Sequence, residues 1–110
     1  MKITFELDGI RLTPMLDQRR SNTLTLLDES TAELYEIDFK SLVDEIKSKA
    51  GMSKSSIIRL MGESRTSFYS RYRGGDVSRS VWIKYILFLA YLTANKNTSL
   101  KSVREDTDQS

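Results

Sequence analysis

Between Ser64 and Arg73 the chain sets Arg65, Thr66, Ser67, Ser70, Arg71 and Arg73 among three aromatic residues, Phe68, Tyr69 and Tyr72. Hydroxyls offer hydrogen bonds in both directions, and a guanidinium fork can span two acceptors on a base edge or a phosphate. That is chemistry for recognition rather than for bond making. The chain has no His and no Cys. The usual general base, the usual zinc ligand, the thiolate nucleophile and disulfides are therefore excluded. Carboxylates are plentiful, but nothing in their spacing singles out an acid/base pair. We expect a binding protein rather than an enzyme, with no metal and no cofactor.

Geometry sharpens this expectation. With about 100° per residue, Phe68, Tyr69 and Tyr72 share one arc of a helix, which must face a core. Thr66, Ser67, Ser70, Arg71 and Arg73 then lie outward. A face with small hydroxyls, one central Arg and no acid can enter a DNA major groove, with Thr66, Ser67, Ser70 and Arg71 reading bases. Lys54, Arg59, Arg65, Arg73 and Arg79 flank this segment and are expected to meet phosphates, which supply affinity without reading sequence.

Charge is divided along the chain in the same sense. Residues 1–38 hold four basic against eight acidic groups, a balance of −4. Residues 39–95 hold ten against four, a balance of +6, and residues 96–110 hold three of each. A basic segment fits a polyanion, and an acidic one beside it fits something else.

The elements that must position these residues follow from local signals. Ile3, Phe5 and Leu7 alternate with polar residues, and Ile10 and Leu12 resume the alternation after Asp8-Gly9, a hairpin-turn pair. Pro14 should end that second strand or place it at an edge. Asp17 to Asn22 reads as a loop. Residues 23–27 and 33–37 read as a second strand pair around a turn at Asp28 to Ala32. Asp38 then caps a helix whose apolar stripe is Phe39, Leu42, Val43, Ile46 and Ala50, stopped by Gly51. Ser53 opens a short second helix ending at Gly62. Ser64 opens a third that runs to about Arg73, and Ser78 or Ser80 opens a last helix to about Thr93. The expected fold is α+β: a small antiparallel hairpin sheet (1–38), then a four-helix, helix-turn-helix bundle (39–95). The polar run 96–110 is expected to be disordered. Phe39, Leu42, Ile46, Ile57, Leu60, Tyr72, Trp82 and Leu89 are the expected core of the helical part.

At Gly51-Met52-Ser53, Leu60-Met61-Gly62, Ser64-Arg65-Thr66-Ser67 and Arg71-Tyr72-Arg73-Gly74 the chain resembles the phage-repressor/Cro type of helix-turn-helix DNA-binding domain, over residues 39–92. That resemblance implies a scaffold helix from Ser53, a recognition helix from Ser64, and a transcriptional regulator, most like the repressors of phages and mobile elements. Two positions depart from the family pattern. Ile58 stands where a small residue is usual, and Glu63 stands where a buried Val follows the turn Gly. One extra turn residue would make Ser64 the Val equivalent and set Tyr69 and Tyr72 on the family's two core positions. The register of the third helix is thus open by one residue.

From Val81 to Leu92 only Lys84 is polar. A helix apolar all round needs more than one partner surface, so Trp82, Phe88 and Tyr91 are expected at a homodimer interface or against the sheet. Two functions follow. One is a regulator binding a two-fold DNA operator as a dimer. The alternative is a small protein-binding module or inhibitor acting through the acidic N-terminal sheet. No apolar run approaches the length of a membrane span and no targeting segment is visible, so a cytoplasmic location is the expectation.

Overall fold

The computed structural model describes residues 3–16 and 20–109, with side chains as far as Ala94. The first three residues of the expected 17–22 loop, Asp17 to Arg19, lie outside the described residues. Four strands, β1 (Phe5–Leu7), β2 (Ile10–Met15), β3 (Thr23–Asp28) and β4 (Glu33–Asp38), form one antiparallel sheet in the order β1-β2-β3-β4. Four helices follow, α1 (Phe39–Ala50), α2 (Lys54–Met61), α3 (Arg65–Tyr72) and α4 (Arg79–Gln109). The fold is α+β.

The hairpins obey their turn residues. Asp8 and Gly9 both hold positive φ, at 52° and 79°, as a two-residue primed turn requires. At the wider turn, the Asp28 carboxylate accepts from the Ser30 backbone N–H at 3.0 Å and from its hydroxyl at 2.8 Å. The Ser30 hydroxyl, ahead of other causes, holds the Asp28 carboxyl below its ordinary value. Pro14 lies inside β2, opposite Leu26. Pairing with β1 stops at Leu12, so Pro14 sits where β2 is locally an edge and its missing N–H is not needed.

The helix caps are local too. Asp38, Ser53 and Ser64 each accept from the backbone N–H three residues on, from Ser41, Ser56 and Ser67. Gly51 and Gly62 close α1 and α2 in the left-handed conformation. α4 starts after Ser78, whose carbonyl accepts from the Trp82 N–H at 3.0 Å. It does not stop near Thr93: its backbone runs to Gln109, so the stretch expected to be disordered from residue 96 continues the helix. No Gly or Pro follows Gly75, and nothing else in the sequence ends a helix already seeded by its buried stripe.

One core joins sheet and helices. Phe5, Leu12, Leu24 and Leu26 from the sheet are buried with Phe39, Leu42, Val43, Ile46, Ile57, Phe68, Trp82, Tyr85, Ile86 and Leu89. Two expected core residues differ. Leu60 is 55% exposed and Tyr72 is only half-buried. On α2 the buried side chains are Ile57, Ile58 and Met61. Their arc is centred between positions 57 and 58, which leaves Leu60 about 100° away from it. The inward arc of α2 is thus Ile57, Ile58 and Met61, not Ile57 and Leu60.

Phe39 is the centre of the aromatic packing, with ring centroids of Tyr85 at 4.9 Å and of Phe68 and Trp82 each at 5.9 Å, all edge-on. Tyr85 is fully buried, and its hydroxyl is a buried atom without a hydrogen-bond partner. Burial pushes that phenol up to about 12.

Phe39→Ala should cost about 3–5 kcal/mol in urea unfolding, because it removes a ring that three helices share. Tyr85→Phe should behave in the opposite way, matching or exceeding wild-type stability at neutral pH, since an unsatisfied hydroxyl is removed. Because the folded-state value of about 12 lies above the ordinary 10.0, the Tyr85 contribution is intact below pH 10.0 and is lost as pH rises from there to about 12. The variant should therefore keep more of its stability than wild type in alkaline melts.

Candidate nucleic-acid interface

The α2–α3 connection is only Gly62, Glu63 and Ser64, with Gly62 at φ 68°. The Glu63 N–H donates to Ile58 O at 3.0 Å, and Ser64 caps α3 at once, so the two eight-residue helices are held close. Beyond α3 the chain passes Gly74 at φ 115° and folds back. There the Gly75 N–H donates to Ser70 O at 2.8 Å, and a Cβ at position 75 would lie 2.8 Å from that same oxygen. Only Gly fits.

A loop from the sheet fixes this fold-back. Asn22 Nδ2 donates to Arg71 O at 2.9 Å and to Gly75 O at 2.6 Å. Ser21 and Val77 exchange backbone hydrogen bonds, at 3.2 and 3.3 Å, and Trp82 Nε1 donates to Ser21 O at 3.0 Å. α3 is thus anchored at its end by the sheet and along its length by Phe68.

Of the two registers open for α3, the packing is that of the shorter turn. Phe68 is fully buried, while Tyr69 and Tyr72 are half-buried. Glu63, not Ser64, turns inward: its side chain is 7% exposed and bridges Arg71 and Lys84. Arg71 is 20% exposed and held in that pair. The expectation that Arg71 projects outward to read a base is therefore corrected. Position 71 faces back toward the turn, and an ion pair fills the space between turn and helix. Lys84 Nζ also donates to Met61 O at 2.9 Å, which closes the network over the end of α2.

The remaining expected base readers, Thr66, Ser67 and Ser70, are all exposed, as are Arg65 and Arg73. Lys54, Arg65 and Arg73 converge on one ring: Lys54 Nζ lies 5.9 Å, Arg65 Cζ 5.8 Å and Arg73 Cζ 5.7 Å from the Tyr69 centroid. Lys54 is also 4.1 Å from the centroid of Tyr72. Residues 65, 69 and 73 are spaced by four, one helix face, so this cation–aromatic ladder was readable in the sequence. Helix angle alone places Tyr69 on the core arc; it is half-buried, with its ring under these cations. The nearby acid, Asp44, accepts from the Tyr72 hydroxyl at 2.8 Å and pairs with Lys40 at 3.2 Å. Burial opposes its ionisation, but those two partners outweigh burial and hold its carboxyl below the ordinary value.

Other expected contacts stand apart. Arg59 is exposed on the last turn of α2. Arg79 lines a cavity with Met15, Thr23 and Trp82, on the sheet side of α4. Trp82 is buried in the chain's own core and is no dimer contact, a correction forced by its bond to Ser21. Phe88 is half-buried and stacks on the exposed Tyr91 at 6.5 Å between centroids. With exposed Leu87 they form an apolar outer face on α4.

Among the described residues, no group of three or more His, Cys, Asp or Glu could hold a metal ion, and no helix is long and apolar enough to cross a membrane. Compared with protein-family models, curated proteins and solved structures, the chain matches none of them.

Glu63→Gln should destabilise the chain by about 1–3 kcal/mol, because Arg71 loses its anionic partner in a mostly buried position. In a double-mutant cycle with Arg71→Met, the pair should cost less than the sum of the single variants. Additivity within about 0.5 kcal/mol would mean that the two side chains do not act together.

Proposed function

We propose that the chain is a sequence-specific DNA-binding regulator of the small-repressor type, which lays the outer face of α3 in a major groove. The observation that carries this reading is the exposed, acid-free row of Thr66, Ser67 and Ser70, flanked by the cations gathered at Tyr69. Lys54, Arg65 and Arg73 contact phosphates and set the position of α3, and Arg59 adds a further backbone contact. The hydroxyls at 66, 67 and 70 meet base edges. Arg71 takes no part in readout and instead holds the turn through Glu63. The likeness to the phage-repressor/Cro pattern supports the same assignment of α2 as scaffold and α3 as reader.

Two copies joined through Leu87, Phe88 and Tyr91 would present two such helices to a two-fold operator in the cytoplasm. In anisotropy titrations with a duplex selected from a randomised library, affinity should fall steeply with salt. Lys54→Ala should reduce the log–log salt slope by about one per half-site and weaken all sequences alike. Ser67→Ala should instead cost about 1 kcal/mol or more on the selected duplex alone. Salt-independent binding, or no binding to any duplex, would remove the reading.

A further inference from the structure

The acidic sheet has its own open side. β4 is last in the strand order, and no described strand pairs with its outer side. Every second residue there turns its N–H and C=O away from β3, a template for one more strand. From Glu33 to Glu36 all four residues are exposed, with Leu34 at 61% and Tyr35 at 38%. Successive side chains alternate between faces. One face of β4 therefore carries Glu33, Tyr35 and Ile37, and the other Leu34, Glu36 and Asp38.

On the Tyr35 face the sheet is not fully covered. Leu7, Ile10, Leu12, Leu26, Tyr35 and Ile37 line a groove of about 230 Å³, with Asp8 and Glu36 completing its lining. The Glu33 carboxylate, then desolvation and Asp28, push the Tyr35 phenol above its ordinary value, which reflects the negative field at this edge.

The same charges choose the occupant. β4 carries three acids, Glu33, Glu36 and Asp38, and no base, so pairing with a second copy brings none of them a cation. An axis through Glu36 sets that carboxylate against its own copy. Like charges brought together are destabilising, so the edge favours a basic strand over its own copy. A strand with basic residues opposite Glu33, Glu36 and Asp38 and apolar ones opposite Leu34, Tyr35 and Ile37 gains at every position. We infer that the β4 edge and its adjoining groove form a docking site for an extended basic–apolar peptide segment of a partner protein, added as a fifth strand. The site lies on the acidic sheet and does not depend on what α3 binds.

The probe is a labelled peptide of sequence Lys-Ile-Lys-Val-Val-Lys, titrated against the full chain without DNA. It should bind, and hydrogen exchange should slow at β4 amides. A peptide with Glu in place of each Lys should not bind. Glu33→Lys/Glu36→Lys should weaken the basic peptide about tenfold, because attraction becomes repulsion at two exposed positions. Both sites are exposed, and the exchange measurement on wild-type protein needs no variant. The inference is overturned by absence of binding, by binding that leaves β4 exchange unchanged, or by equal affinity for the two peptides. It is equally overturned if wild-type protein alone already protects the β4 edge by pairing with itself.

Discussion

Everything outward-facing on α3 depends on how Phe39 and Phe68 meet. Phe39 opens α1 directly after β4, so the ring that touches α3 and α4 is tied covalently to the sheet. Phe68 is the fully buried residue of a short, mostly polar helix. An eight-residue helix of this composition has little stability of its own, and tertiary packing of its inner side has to supply it. The Phe39–Phe68 contact fixes which side of α3 points inward. Thr66, Ser67 and Ser70 are consequently exposed. The Asn22 and Ser21 hydrogen bonds then pin the end of α3 against a loop of the sheet, so the sheet works as a clamp on the helical half.

Glu63 and Arg71 show a second constraint. An apolar pair between turn and helix would pack with no requirement for charge. Here a carboxylate takes up two cations, mostly burying Arg71 while Lys84 stays partly exposed. Such pairs are weak contributors to stability against an apolar alternative, but removing one partner leaves the other charge stranded. The balance of +6 over residues 39–95 already counts Glu63, so the pair leaves the net charge unchanged and instead takes Arg71 off the outer side of α3. The strongest part of the basic surface is the three-cation ladder at Tyr69, beside the hydroxyl row rather than within it.

Local signals carried much of the architecture into the sequence. Asp8-Gly9, the caps at Asp38, Ser53 and Ser64, and the stops at Gly51 and Gly62 all act within a few residues, and each is where the pattern put it. What was not legible came from contacts across the chain. Leu60 reads as core by spacing, yet Ile58 and Met61 are buried in its place. Arg71 reads as outward by angle, yet its partner sits in the preceding turn. Asn22 is one polar residue in a polar loop, and its acceptors lie 49 and 53 residues away. Trp82 looked available for a second subunit because nothing in its own helix reveals the Ser21 carbonyl waiting for its indole N–H.

Titration of the isotope-labelled full chain with a mixed-sequence DNA duplex at low salt, followed amide by amide in nuclear magnetic resonance spectra, tests most directly whether α3 is the DNA-facing element. The amides from Ser64 to Ser70 and those of Lys54 and Ser55 should shift together and return toward their free positions as salt is added, while those of β4 stay still. Shifts confined to the sheet, or none at any residue of α3, would contradict the assignment of this helix to the groove.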